Sequence, residues 1–216
     1  MSGKTYDGEK AIISLTSWKA RIGTVSKTIF SLLKQCPGFH IVLVLSEEEF
    51  PKKEDELPEN LMLFVKNNLI EILWVYKNYK SLKKIIFTIS KYKNVPVISA
   101  DDDCIYTCNY AQELYNAYLV NKNVPIAYRK SKYKFCCCGP ATLYPIKIYD
   151  DLLELFDNIS KKYEMKDDAF VLEYLKSKDL QPIYLKSYFP CYFHDEINPI
   201  NGSYKNIEWV KSQKFK

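Results

Sequence analysis

The sequence contains no apolar run approaching the ~18 to 20 residues that a membrane span requires, and its opening stretch, Met1 to Lys10, is polar. Neither a signal peptide nor a transmembrane helix is therefore expected. Histidine is scarce: His40 and His194 are the only two. The seven cysteines lack the two-residue spacing of a zinc knuckle, since Cys136, Cys137 and Cys138 are adjacent and Cys36, Cys104, Cys108 and Cys191 are scattered. Structural zinc is disfavoured by that spacing, and an odd number of thiols without an export signal suits a reducing cytoplasm. No sign of charge dominates. The net charge of +5 comes from lysines spread among 26 acidic residues, which does not make the basic stripe of a nucleic-acid binder but is compatible with an anionic substrate or membrane surface. There is no internal repeat and no low-complexity segment.

What is present is enough chain, 216 residues, for one domain with a sizeable core. Ala11 to Leu15 reads as a first strand. Val25, Ile29, Leu32 and Leu33 then recur at helical spacing, with Thr24 as the candidate N-cap and Pro37-Gly38 as the stop. His40 to Leu45 is a second strand, Glu59 to Asn67 a helix and Ile70 to Val75 a third strand. Ser81 opens a helix whose stripe is Leu82, Ile85, Ile86, Ile89 and Tyr92, and Val95 to Ile98 is a β-branched fourth strand. Strands alternating with helices imply a parallel sheet with right-handed crossovers. The second half is less regular. Helices are expected over Tyr110 to Leu119, Ile146 to Phe156 and from Asp167 onward, and strands over Pro125 to Tyr128, Phe135 to Tyr144 and Pro182 to Leu185.

The fourth strand ends in three consecutive carboxylates, Asp101, Asp102 and Asp103. Loops leaving the carboxyl ends of strands form the ligand crevice of an open α/β sheet, and adjacent aspartates repel unless a cation or a donor network neutralises them. Hard oxygen ligands on short side chains suit Mg2+ or Mn2+ with a diphosphate. The plain alternative is an Asp-rich turn. If the segment is extended, Asp101 and Asp103 point the same way.

Five short pieces in this order resemble bacterial glycosyltransferases of the GT-A fold, in particular small enzymes that build surface polysaccharide or lipooligosaccharide. They are Ile13-Ser14-Leu15-Thr16-Ser17 with Arg21 and Ile22; Ser81-Leu82-Lys83-Lys84; Ser99-Ala100-Asp101-Asp102-Asp103 with Ile105-Tyr106; Gly139 with Leu143-Tyr144-Pro145; and Lys166-Asp167-Asp168. They span roughly residues 11 to 185. The resemblance implies a single-domain, Rossmann-like, mostly parallel sheet flanked by helices, and transfer of a sugar from a nucleotide sugar, a UDP-sugar foremost, to a glycan or lipid-linked acceptor. Its glycine-rich segment is here Gly139-Pro140-Ala141-Thr142, preceded by the cysteine triplet. Nothing after Leu185 matches.

Thr16, Ser17 and Arg21 fall at the carboxyl end of the first strand, where nucleotide recognition is expected; a plain turn is the alternative for the first two. Lys83 and Lys84 lie in the first turn of their helix, which favours anions, and because neighbours point about 100° apart only one, Lys84, is expected to face the site. With Asp101 and Asp102 these residues make up the expected donor-binding set. The resemblance assigns Asp103 as direct metal ligand, Asp101 as metal or ribose contact, and Asp168 as the general base that takes the acceptor's proton while direct attack inverts the anomeric carbon, with Asp167 beside it. The alternative for Asp167 and Asp168 is N-capping, worth ~0.5 to 2 kcal/mol. In several enzymes of this fold a late histidine completes the metal shell; here the candidate is His194, outside the matching region.

Residues 1–185 are thus expected to form the catalytic domain and 186–216 a tail. Tyr188, Phe189, Tyr192, Phe193, Tyr204 and Trp209 stand there among Lys186, Lys205, Lys211, Lys214 and Lys216. Rings beside lysines suit the headgroup layer of an anionic bilayer, so peripheral docking on the inner face of a membrane is one reading; the other is that the rings cover a sheet edge. Two rival functions stay open as well, a metal-dependent nucleotidyl- or phosphotransferase and a non-catalytic binding module.

Overall fold

Strand β1 (Ala11–Thr16) lies inside the sheet, and its alternation divides the protein into two cores. Ala11, Ile13 and Leu15 face one side, where they pack with Val25, Ile29 and Leu32 of α1 (Val25–Leu32). Ile12 faces the other, against Leu82, Ile85 and Ile86. Successive strand residues point to opposite faces, and both faces are covered by helices, so the strands read as near-continuous apolar runs.

The computed structural model describes residues 8–129, 142–146, 151, 167–188 and 191–193, with residues 129, 167–169, 172, 188, 192 and 193 described by their backbone alone. After β1 and α1 come β2 (Phe39–Ser46), α2 (Glu59–Lys66), β3 (Glu71–Val75), α3 (Lys83–Lys91), β4 (Val97–Ala100), β5 (Cys104–Tyr106) and α4 (Tyr110–Val120). The remainder contributes β6 (Ile126–Arg129), β7 (Thr142–Tyr144), α5 (Asp167–Ser177), β8 (Ile183–Tyr188) and β9 (Cys191–Phe193). Helices α1, α2 and α4 cover the first core, and α3 and α5 the second.

The main sheet runs β3-β2-β1-β4-β7-β6-β8. β2 pairs with β1 and with β3, and β4 with β1, all parallel; Ile12 sits opposite His40 on one side and Val97 on the other. The chain goes from β1 to β2 in one direction and returns to lay β4 on the other flank, so the strand order reverses between β1 and β4. That switch point is where the carboxyl ends of the strands open a crevice, and Thr16 and Asp101 lie on either side of it. β7 is antiparallel to both β4 and β6, while β8 is parallel to β6.

Three local expectations are corrected. Thr24 precedes α1 but makes no side-chain cap; its Oγ1 donates to the Arg21 carbonyl at 3.1 Å instead. Ser81 does not cap α3, because a 3-10 turn over Lys80–Leu82 leads into it and Leu82 takes the cap position. Strands also continue past residue 185: β8 runs to Tyr188 in the main sheet, and β9 pairs antiparallel with β5 in a separate two-stranded sheet, Cys104 opposite Phe193 and Tyr106 opposite Cys191. Most of the expected strand over residues 135–144 and of the helix over 146–156 lies outside the described residues. Among the described residues no helix is long and apolar enough to cross a membrane.

Candidate functional site

β4 stops at Ala100, where three adjacent carboxylates begin. Asp101, Asp102 and Asp103 form the turn between β4 and β5, so of the two conformations open from the sequence, extended segment or turn, the turn is adopted. Buried neighbours hold the bend. Thr28 Oγ1 lies 2.9 Å from the Asp102 carbonyl and 2.8 Å from the Cys104 carbonyl. On the other flank, the Asp101 amide donates to the Tyr106 hydroxyl at 2.7 Å. Every buried main-chain polar group needs such a partner.

Within the turn Asp102 faces inward and is 6% exposed. Its Oδ2 accepts the Ser17 hydroxyl at 2.6 Å and its Oδ1 an Nη1–H of Arg21 at 2.9 Å. Arg21, itself 4% exposed, also reaches Asp103 Oδ2 at 3.0 Å. Burial pushes the Asp102 carboxyl up, opposed by the Ser17 hydroxyl and the Arg21 charge. Burial also pushes Asp103 up to about 6, with the neighbouring Asp101 charge adding to it and Arg21 opposing. Asp101 is the most open of the three, its side chain 31% exposed, and its Oδ1 is paired with the Lys84 ammonium.

The two lysines that open α3 point apart, and Lys84 is the one paired with the acidic turn. Lys83 and Lys84 are each almost fully buried, Lys84 turned to Asp101 over β4 and Lys83 turned towards the loops after β2 and β3. There its Nζ donates to Asn78 Oδ1 at 3.3 Å and lies 3.6 Å from Glu49 Oε2. Burial pulls Lys83 down to about 8, opposed by the Glu49 charge. Thr16 Oγ1 donates to the Val44 carbonyl at 2.7 Å. Thr28, Tyr106, Glu49 and Asn78 were not among the residues singled out in the sequence; only Tyr106 lay inside a quoted motif, and without that role.

The remaining expected residues are only in part within reach. Asp167 and Asp168 open α5, but their side chains are not described. His194 lies outside the described residues; its predecessor Phe193 is paired with Cys104, the successor of Asp103. Three carboxylates therefore face two cations, Arg21 and Lys84, in a partly buried turn, and the donor set left open is two short-chain carboxylates, Asp101 and Asp103. Among the described residues no group of three or more His, Cys, Asp or Glu is arranged to hold a metal ion. Two carboxylates fit a magnesium- or manganese-type ion, which takes one or two of them and fills the remaining positions with water and phosphate oxygens.

No protein-family model and no curated protein matches the sequence. Solved structures do match the fold. TarS of S. aureus, residues 1–349 in complex with UDP, superposes with a TM-score of 0.59 at 10% identity, over 84% of this chain and 59% of that one. The same TarS fragment with UDP-GlcNAc gives 0.57 at 11% identity, over 88% and 60%. The glycosyltransferase GlyE of Streptococcus pneumoniae TIGR4 gives 0.52 at 17% identity, over 82% and 45%. The chain spans about three fifths of the TarS fragment and less than half of GlyE. It has the single-domain α/β fold, a mostly parallel seven-stranded sheet flanked by helices, that these proteins share.

Proposed function

We propose that this protein transfers a sugar from a nucleotide sugar to a hydroxyl acceptor, with inversion at the anomeric carbon. The observation that carries the reading is the β4–β5 turn: an acidic triplet at the switch point of the sheet, its inner carboxylate Asp102 balanced by Arg21 and its most exposed one, Asp101, paired with Lys84. TarS, which shares the fold, was solved with UDP and with UDP-GlcNAc, and this supports a uridine-diphosphate donor.

In the reaction the acceptor oxygen attacks the anomeric carbon, the bond from that carbon to the diphosphate oxygen breaks, and the nucleoside diphosphate leaves with the electron pair. Asp168 takes the acceptor's proton, a carboxylate acting as general base, and Asp167 binds a neighbouring acceptor hydroxyl or caps α5. Asp101 and Asp103, with His194, would hold Mn2+ or Mg2+. Such an ion, when bound, stabilises the charge that develops on the leaving phosphate. Lys84 shares that task from the N-terminal turn of α3, and Ser17, Arg21 and Asp102 brace the floor of the donor site with Thr16 beside them. The acceptor is a glycan or a lipid-linked glycan.

A screen of nucleotide sugars with added Mn2+, read as release of nucleoside diphosphate and as thermal stabilisation, tests this reading. Hydrolysis of one donor that stops on chelation supports it. Release of pyrophosphate points instead to nucleotidyl transfer, and neither turnover nor stabilisation with any donor leaves a binding module.

A further inference from the structure

Helix α1 carries two polar residues, Thr28 and Ser31, on the face turned to the sheet, and both are buried, 0% and 4% exposed. Threonine and serine in a helix interior are poor choices for helix stability, and burying their hydroxyls costs more still unless each finds a partner. Their partners lie on the acidic turn. Thr28 Oγ1 straddles Asp103, touching the carbonyls of the residues on both sides of it, Asp102 at 2.9 Å and Cys104 at 2.8 Å. Ser31 Oγ accepts the Tyr106 amide at 3.0 Å and donates back to the Thr28 carbonyl at 2.7 Å. The Tyr106 hydroxyl in turn holds the Asp101 amide at 2.7 Å and faces the Asp101 carbonyl at 3.4 Å. The Tyr106 ring is fixed against Tyr110, their centroids 4.4 Å apart, and the Tyr110 hydroxyl donates to the Ser99 carbonyl on β4. The backbone of the turn is therefore clamped at both ends of the triplet, by α1 below and by β5 and α4 beside it, and none of these contacts uses a carboxylate oxygen.

We infer that Thr28, Ser31 and Tyr106 are positioning residues that fix where Asp101 and Asp103 point, an inference that rests on the glycosyl-transfer reading. Valine or alanine at these points would leave the Asp102 and Cys104 carbonyls and the Tyr106 amide without these partners, so the hydroxyls tie α1 to the main chain of the turn itself. Hydroxyls that converge on the main chain of three like-charged residues do something apolar groups cannot: they hold a bend that repulsion among the carboxylates would otherwise relax. Misplacing a reacting constellation by about 1 Å costs on the order of 10²-fold in rate.

The experiment compares wild type with Thr28→Val, Thr28→Ser and Tyr106→Phe for release of nucleoside diphosphate from the donor found in the screen, with Mn2+, at a temperature well below every variant's melting point. Thr28→Val keeps the shape and removes the hydroxyl; turnover is expected to fall ~10- to 100-fold with a much smaller change in donor KM. Thr28→Ser is expected to restore most of the rate, and Tyr106→Phe to lower it in the same manner as Thr28→Val. If Thr28→Val does not fold, Tyr106→Phe carries the test alone. Variants that melt earlier yet turn over like wild type overturn the inference and leave the functional reading standing. A wild-type chain with neither donor hydrolysis nor Mn2+-dependent binding of nucleotide overturns the reading, and the inference with it.

Discussion

Asp102 and Asp103 are neighbours in sequence, yet the inner side of the turn closes on itself while the outer side stays open. Both oxygens of Asp102 are taken, one by Ser17 and one by Arg21, in a pocket that excludes water. Asp103 shares Arg21 but keeps part of its carboxylate accessible, beside the still more open Asp101. A second contrast lies along α3. Over β4, Lys84 meets a crowd of negative charge. Over β2 and β3, Lys83 has one long hydrogen bond and one ion pair. An aspartate or lysine in this crevice is thus either bracing or working according to which of its atoms are already satisfied, and the two kinds are expected to fail differently when removed.

The sharpest break falls on the working side. Asp103→Ala is expected to lower turnover by at least ~10³-fold, the scale of losing a charge-stabilising group aimed at the leaving phosphate, with circular dichroism and melting temperature nearly unchanged. A variant that still turns over at the wild-type rate would remove Asp103 from the site. Asp168→Asn is expected to follow, costing ~10²- to 10⁴-fold in kcat while the donor's Kd stays put, because a general base acts in the transition state. Unchanged kcat with a lower melting temperature would mark Asp168 as a cap of α5.

On the bracing side the sign of the effect changes from rate to stability. Asp102→Asn leaves Arg21 buried with half of its compensation, and breaking a buried pair from one end costs about 3 kcal/mol or more. Urea unfolding read by circular dichroism would measure it. An Asp102→Asn protein as stable as wild type, but inactive, would move Asp102 to the working side and erase the contrast.

How far the sequence foretold this division can be traced residue by residue. The strands β1, β2 and β4 were legible because they are apolar and largely buried on both faces, and α3 because Leu82, Ile85, Ile86, Ile89 and Tyr92 keep a 3.6-residue period that the structure buries without exception. That the triplet ends a strand was legible for the same reason, while its place at the sheet's switch point follows from the strand order of the structure. The shape of the triplet was not legible. Three identical residues carry no period, so nothing in them distinguishes a strand end from a turn, and the answer came from Thr28 and Tyr106, which lie elsewhere in the chain. Thr28 and Ser31 carried no signal of their own, since a polar pair three residues apart reads the same whether it meets water or a buried main chain. The antiparallel strands β7 and β9 were the least legible, because their short lengths carry too few alternations to reveal a face.

The smallest expected effect tests Lys83 by pH. Its ammonium titrates near 8 in the folded protein, against about 10.4 in an unfolded chain, because burial disfavours the charged form more than Glu49 and Asp102 favour it. Between those two values the unfolded chain binds more protons than the folded one, so this group makes stability rise with pH. Below about 8 its full penalty is present, and above about 10.4 it is gone. Lys83→Met keeps the length and apolar stem of the side chain while removing the titration. Urea unfolding of both proteins at pH 7 and pH 10 is therefore expected to show wild type gaining on the variant by about 1 to 3 kcal/mol as the pH rises. A difference that stays constant across that window would mean the Glu49 and Asn78 contacts compensate the ammonium fully; a difference that moves the opposite way would mean Lys83 is stabilised by its charge, as Lys84 is by Asp101, and the contrast between the two lysines would fail.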